Sequence, residues 1–243
     1  MRIFLAGASG AIGRRLTPLL LAAGHDVTGC TRHAETARQL NAAGIRAVVA
    51  DVFDAATLRD ALVKARPEVV VHQLTDLPQV VEDEAQLAAS YPRNARIRIE
   101  GTHNLIAAAQ AASARRFIVQ SVAFAYAPRG EPGEPHSEAD PLNVVDGPRA
   151  VTVRAAADME RQVLASGMEA IVLRYGFFYG PGTWHADPIR KPSVHIDAAG
   201  QATLLALTRG RPGVYNIAEE DGTVSIAKAR AELGFDPAFR LPA

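Results

Sequence analysis

An apolar run, Ile3 to Ala6, leads straight into Gly7-Ala8-Ser9-Gly10-Ala11-Ile12-Gly13, three glycines spaced three residues apart. Glycine permits torsions and backbone approaches that a Cβ forbids, so this spacing predicts a tight turn from a strand into a helix. At such a turn the N–H groups of the helix's first residues point outward, at the positive end of the helix dipole. Gly7, Ser9, Gly10, Ala11, Ile12 and Gly13 therefore form a candidate seat for a pyrophosphate. The bland alternative is a turn that only packs strand against helix.

Short apolar runs alternate with helical patterns along the next hundred and more residues, the mark of repeated βα units and a parallel sheet. Strands are expected at Ile3–Ala6, Val27–Cys30, Ala47–Val49, Val69–Val71, Phe117–Gln120 and Ala170–Leu173. Between them the pattern predicts helices at Ile12–Ala23, Ala34–Ala43, Ala55–Ala65, Asn94–Ala112 and Thr152–Ser166. Gly24 and Gly44 supply C-terminal caps. Val69-Val70-Val71 is a continuous run of the kind buried on both faces of a sheet. Ala127–Pro148, rich in Pro, Gly and Glu, reads as an irregular surface loop. Beyond Arg174 the pattern breaks into Tyr-Gly-Phe-Phe-Tyr-Gly-Pro-Gly and a proline-punctuated stretch. A short strand and helix at Val194–Leu207, a strand at Gly213–Ile217 and a helix at Ser225–Leu233 follow. The expected fold is α/β, a Rossmann-type doubly wound parallel sheet over residues 1–173 with a small C-terminal substrate lobe over 174–243, partly interleaved with it.

The chain's 243 residues suffice for one such unit. Lysine plus arginine equal aspartate plus glutamate, so no global field recruits nucleic acid or a membrane surface. Cys30 is the only cysteine, which excludes an intrachain disulfide and fits a cytoplasmic protein. No apolar run approaches transmembrane length, and the histidines show no metal-ligand spacing, so no metal is expected. Ser121 lies on no Gly-x-Ser-x-Gly elbow, which leaves serine hydrolase chemistry without support. Glu82-Asp83-Glu84 reads as a solvated helix face or loop.

Several further segments fall in a recognisable order: Ala50-Asp51-Val52, Val70-Val71-His72-Gln73-Leu74, Glu100-Gly101-Thr102-His103-Asn104-Leu105, Val119-Gln120-Ser121 with Tyr126, Leu173-Arg174-Tyr175-Gly176 and Tyr179-Gly180-Pro181-Gly182. With the glycine turn, Val194-His195-Ile196-Asp197 and Gly213-Val214-Tyr215-Asn216-Ile217, they cover about residues 1–217. The chain resembles the extended and atypical short-chain dehydrogenase/reductases, the NAD-dependent epimerase/dehydratase group. That resemblance implies NAD(P) lying across the carboxyl ends of the strands. Asp51 and Val52 would flank the adenine, and Gln73, Leu74 and Thr75 would line the nicotinamide side. An acid at the end of the second strand normally accepts the ribose hydroxyls of NAD. Here that position reads Cys30-Thr31-Arg32-His33, where Arg32 offers a planar charged fork to a 2′-phosphate and Thr31 a hydroxyl, so NADP is expected rather than NAD.

In the family's mechanism a tyrosine exchanges a proton with the substrate, a lysine one helical turn on lowers the phenol's pKa, and a Ser or Thr steadies the substrate oxygen. Registering the helix through Met159-Glu160-Arg161-Gln162-Val163-Leu164 puts Thr152 at the tyrosine position and Ala156 at the lysine position. The hydroxyl position falls on Val122, and no lysine occurs between Lys64 and Lys191. Candidate substitutes are Tyr126, Ser121 and Thr152. Two functions follow from this pattern. One is an NADP-linked oxidoreductase or epimerase-like enzyme on a small hydroxyl or keto substrate, such as a nucleotide sugar. The other is a silent NADP(H)-binding sensor or regulatory protein. The two long alanine-rich helices correspond to those that pair across a two-fold in relatives, so a homodimer is expected.

Overall fold

The computed structural model describes residues 1–78, 80–81, 83–128, 133–144 and 149–242. Its strands are β1 (Arg2–Ala6), β2 (Asp26–Thr31), β3 (Arg46–Val49), β4 (Val69–His72), β5 (Arg116–Val122), β6 (Glu169–Tyr175), β7 (Phe177–Tyr179), β8 (Ser193–His195) and β9 (Gly213–Ile217). The helices are α1 (Ala11–Ala22), α2 (Ala34–Ala42), α3 (Ala55–Ala65), α4 (Glu84–Arg96), α5 (Thr102–Ala111), α6 (Ala150–Leu164) and α7 (Ile196–Ala206). Seven strands form one sheet in the order β3-β2-β1-β4-β5-β6-β9, every pairing parallel. The small β7–β8 ribbon stands apart from it. The order reverses between β1 and β4, and ligands of doubly wound sheets lie outside the carboxyl ends of the strands at such a reversal.

Strand residues alternate between two apolar layers, as the two-residue pleat requires. Ile3, Leu5, Val69, Val71, Ile118, Ile171 and Leu173 face the side of α1 and α7, packed with Leu16, Leu20, Ala199 and Ala202. Phe4, Ala6, Val70, Phe117, Val119 and Val172 face the opposite layer, with Leu58, Leu62, Leu105, Met159 and Val163. Both faces are covered, which is why the Val69–Val71 run contains no polar alternation.

One expectation needs correction. The helix expected from Asn94 starts at Glu84 and runs through Pro92. Asp83, read above as part of a solvated run, caps it by accepting the Gln86 N–H at 2.7 Å; Glu82 lies outside the described residues. A π-helical turn, Ile97–Gly101, then joins α4 to α5 and turns Arg98 inward, where it is buried. Gly213–Ile217, expected as a strand in a C-terminal lobe partly interleaved with the Rossmann unit, adds to the main sheet as β9 beside β6, and its Tyr215 and Ile217 bury completely in the α1–α7 layer. The last helix is a π turn, Ala229–Leu233.

Candidate functional site

Gly7 leaves β1 with φ +98°, and a Cβ there would lie 2.7 Å from the backbone carbon and oxygen of Gln73. The Gly10 N–H closes the turn on the Gly7 carbonyl at 3.0 Å. The first bond of α1 runs from Arg14 N–H to Gly10 O, so the N–H groups of Ala11, Ile12 and Gly13 have no partner within the helix. Gly10 makes no side-chain cap and the first turn holds no acid, which leaves this helix end open to an anion. Ser9 is exposed at the tip. The Arg14 guanidinium donates to Ser9 O at 2.7 Å and to Gly182 O at 3.2 Å, tying the turn to the segment that follows β7.

On one side of the turn, Ala6 pairs with Cys30, so Thr31 and Arg32 emerge from β2 at the same edge. Thr31 is buried and its hydroxyl accepts the His33 N–H at 3.3 Å. Arg32 is exposed, without a hydrogen bond or ion pair among the described residues. Asp51 binds the Phe53 N–H at 2.9 Å through one carboxylate oxygen. Val52 is buried, its carbonyl held by Asn104 Nδ2 at 2.9 Å.

On the other side, Ala6 pairs with His72 and His72 with Val119, so Gln73 and the end of β5 share that edge. Gln73 N–H donates to Ala6 O at 2.8 Å. Its side-chain Nε2 reaches Thr203 Oγ1 at 3.5 Å, while Oε1 is buried with no partner. Leu74 is half-buried and Thr75 exposed beyond it. An orphaned amide oxygen next to an open helix N-terminus and a glycine turn too tight for any Cβ is an arrangement that fits a dinucleotide.

His72 is fixed in the neutral form. The Leu74 N–H donates to Nδ1 at 3.2 Å, which leaves Nε2–H for the Thr102 hydroxyl at 3.0 Å. Burial, reinforced by the nearby Arg98 charge, pushes its pKa from 6.5 down to about 3. Between those values only the unfolded chain binds the proton, so this contribution to stability is complete above pH 6.5 and is lost as pH falls. Urea unfolding of wild type at pH 7 and pH 5, compared with His72→Gln, checks this. The wild type should lose about 2 kcal/mol more than the variant over that interval.

The three hydroxyls nominated by sequence fare differently. Ser121 Oγ donates to Glu160 Oε1 at 2.6 Å, inside the protein. Tyr126 OH donates to Asn216 Oδ1 at 2.6 Å and accepts from Arg174 Nη1 at 2.9 Å, while its ring stacks on His136. Burial raises the Tyr126 pKa against the opposing pull of Arg174, so the phenol keeps its proton at neutral pH. The Arg174 fork also grips Glu160, with Nε–Oε1 at 2.9 Å and Nη2–Oε2 at 2.6 Å. Thr152 is buried, and its hydroxyl has no partner among the described residues.

Thr152, Ala155, Ala156, Met159, Glu160 and Val163 make the inward face of α6. Beside it lies Arg98, which sequence reasoning missed; Nη1 donates to the Thr152 carbonyl at 3.0 Å. Burial lowers the Arg98 pKa to about 10, so it remains charged at neutral pH. The Glu160–Arg174 pair was also missed, although an acid on an otherwise apolar helix face was a readable signal.

A family model described as NAD(P)H-binding matches residues 7–190. A 3-diazoavenalumate denitrifying reductase from a Streptomyces species is 40% identical over 232 residues, covering 96% of this chain and 72% of the relative. A dTDP-4-dehydrorhamnose reductase of Streptomyces griseus is 30% identical over 266 residues, 98% of this chain and 78% of that protein. Among solved structures, the UDP-glucose 4-epimerase of Thermotoga maritima with UDP-glucose matches at TM-score 0.78 and 18% identity, covering 99% of this chain and 94% of that one. A dTDP-glucose 4,6-dehydratase double mutant from Streptomyces venezuelae with NAD bound matches at TM-score 0.78 and 18% identity, covering 98% and 92%. At that identity the likeness is one of fold. With its glycine turn, open α1 end and reversal of strand order, the chain belongs to the NAD(P)H-binding family and has the fold of the NAD-dependent epimerases and dehydratases.

Proposed function

We propose that this chain is an NADP(H)-dependent reductase whose acceptor takes hydride without a proton from α6. The observation that carries this reading is the chemistry of the site's side chains. In the register that the resemblance implies, Thr152 and Ala156 stand at the tyrosine and lysine positions of α6, and the hydroxyls of Ser121 and Tyr126 already donate to Glu160 and Asn216. In this reading the free N–H groups of Ala11, Ile12 and Gly13 hold the diphosphate, with Gly7, Ser9 and Gly10 shaping the turn. Arg32 and Thr31 take the 2′-phosphate, Asp51 and Val52 the adenine, and Gln73, Leu74 and Thr75 the nicotinamide side. When bound, the reduced cofactor supplies a hydride.

Reducing a carbonyl leaves an alkoxide that must be protonated, the task for which a phenol beside a lysine is suited. A diazonium group makes no such demand. Replacing –N₂⁺ by hydrogen takes one hydride and releases dinitrogen, so atoms and charge balance without a proton from the protein. The name of the Streptomyces relative, a diazo-compound reductase, supports that acceptor class. Residues 174–243 then supply the acceptor side of the cleft. Ile99, Val151 and Leu164, exposed on the π turn and α6, support pairing of these helices in a homodimer.

Consumption of reduced cofactor, followed by nicotinamide absorbance, tests the proposal with an aryl diazonium salt and a panel of ketones and nucleotide-sugar ketones. We expect NADPH oxidation and dinitrogen release with the diazonium salt above the enzyme-free rate, no oxidation with the ketones, and loss of the NADPH-over-NADH preference in Arg32→Ala. Tight NADPH binding with no oxidation by any acceptor would instead establish a silent sensor.

A further inference from the structure

Val122 and Tyr175 are paired at the ends of β5 and β6, and two residues beyond each stands a phenylalanine. Phe124 and Phe177 stack with centroids 4.5 Å apart and planes 8° from parallel. Both are half-buried and lie at the carboxyl edge of the sheet, on the side of the strand order assigned above to the nicotinamide. The Arg149 guanidinium, at the N-terminus of α6 less than one turn from Thr152, sits 5.3 Å from the Phe124 centroid and 5.2 Å from that of Phe177. Both distances fall within the range of a cation–π contact, a modest attraction that leaves the guanidinium's hydrogen-bond donors unused.

Among the described residues the Arg149 guanidinium makes no hydrogen bond and no ion pair; its backbone carbonyl accepts the Val153 N–H at 3.0 Å. A planar fork with five donors is thus held half-buried against an apolar wall with nothing to accept from it. A second guanidinium, Arg190, approaches the Phe177 ring at 6.0 Å from the segment after β7. Its partner is Glu84, which is almost fully exposed and 3.5 Å away, a weak solvent-screened contact. Two cations thus approach one aromatic pair, and among the described residues the one carboxylate that either of them meets is the weakly engaged Glu84.

We infer that Phe124, Phe177 and Arg149 form the recognition subsite for an aromatic carboxylate. The acceptor's ring lies against the phenylalanine pair, its carboxylate takes the Arg149 fork in two parallel hydrogen bonds, and Arg190, near the Phe177 ring, adds charge. This deepens the reductase reading, which fixes the acceptor's reacting group but not the remainder of the molecule. Stacking selects a planar body and the fork selects the anion, so neither a nucleotide sugar nor a neutral arene satisfies both.

Calorimetric titration of the NADP⁺-loaded protein tests this without turnover, using cinnamate, its methyl ester and acetate as probes. Cinnamate should bind, the methyl ester and acetate at least about ten-fold more weakly. Arg149→Gln should weaken cinnamate about ten- to a hundred-fold while leaving NADP⁺ affinity unchanged. Arg190→Gln should have a smaller effect of the same sign. Equal binding of cinnamate and its ester, or equal binding by wild type and Arg149→Gln, overturns the subsite. Failure of NADP⁺ itself to bind overturns the reductase reading instead. Because Arg149 holds no other group in place, its variant should unfold at the wild-type temperature, and a lowered Tm with unchanged cinnamate binding also counts against the proposal.

Discussion

Replacing Gly13 by alanine is expected to abolish dinucleotide binding and to destabilise the fold by at least about 3 kcal/mol. A Cβ at Gly13 would sit 2.3 Å from the Gly7 carbonyl oxygen and 2.4 Å from that of Ala8. Both obstacles are backbone, so no side chain can rotate away. Either α1 lifts from β1, opening the layer around Leu16 and Leu20, or the turn shifts and takes its N–H groups out of line. Losing one or two charge-assisted hydrogen bonds to a diphosphate weakens binding more than about a hundred-fold. Gly24→Ala is the matched control, with φ +73° and no neighbour within 4 Å of its Cβ. It should cost about 1 kcal/mol of left-handed strain and leave cofactor affinity intact. Urea unfolding and fluorescence titration with NADPH separate the two variants. Equal behaviour would mean that close approach at Gly13 is unimportant.

Arg174→Met should be the most damaging change away from the cofactor edge. Arg174 and Glu160 are both about 6% exposed in their side chains and are joined in a two-pronged pair. Truncating one partner leaves the other as a buried uncompensated charge, a loss of about 3–5 kcal/mol. Glu160→Met alone should cost a similar amount. The double variant should recover part of the loss, since two apolar side chains need no partner. Recovery stays incomplete because Ser121 then loses its acceptor and Tyr126 its donor. A double-mutant cycle in urea measures the coupling, expected at about 2 kcal/mol or more. Additive losses would show that the pair contributes no mutual stabilisation. Tyr126 is held between Arg174 and Asn216 as a structural post, so Tyr126→Phe should lower Tm more than turnover.

How much of this was legible before folding depends on the range of the interaction involved. Strand and helix positions follow from periodicity within a dozen residues, and most elements lie within one to three residues of expectation. The helix expected from Asn94 begins ten residues earlier, at Glu84, where the cap from Asp83 and burial of Ser90, Asn94 and Ala95 outweigh the N–H missing at Pro92. β9 was legible as a strand, but its local pattern fits a strand of any sheet, and only the layer that buries Tyr215 and Ile217 decides which.

The site divides in the same way. Sequence alone determined the glycine turn, the basic residue where an acid would select NAD, and the lack of a tyrosine–lysine pair on α6, because each is a matter of residue identity within a few positions. Only the tertiary structure decided which polar groups are already engaged. Ser121 meets Glu160 across 39 positions of chain, Tyr126 meets Asn216 across 90, and Gln73 faces Thr203 across 130. A hydroxyl's capacity for chemistry depends on whether its proton already has an acceptor, and an arginine's on whether its fork does. Those acceptors are brought within reach only when the sheet closes and the helices pack on it.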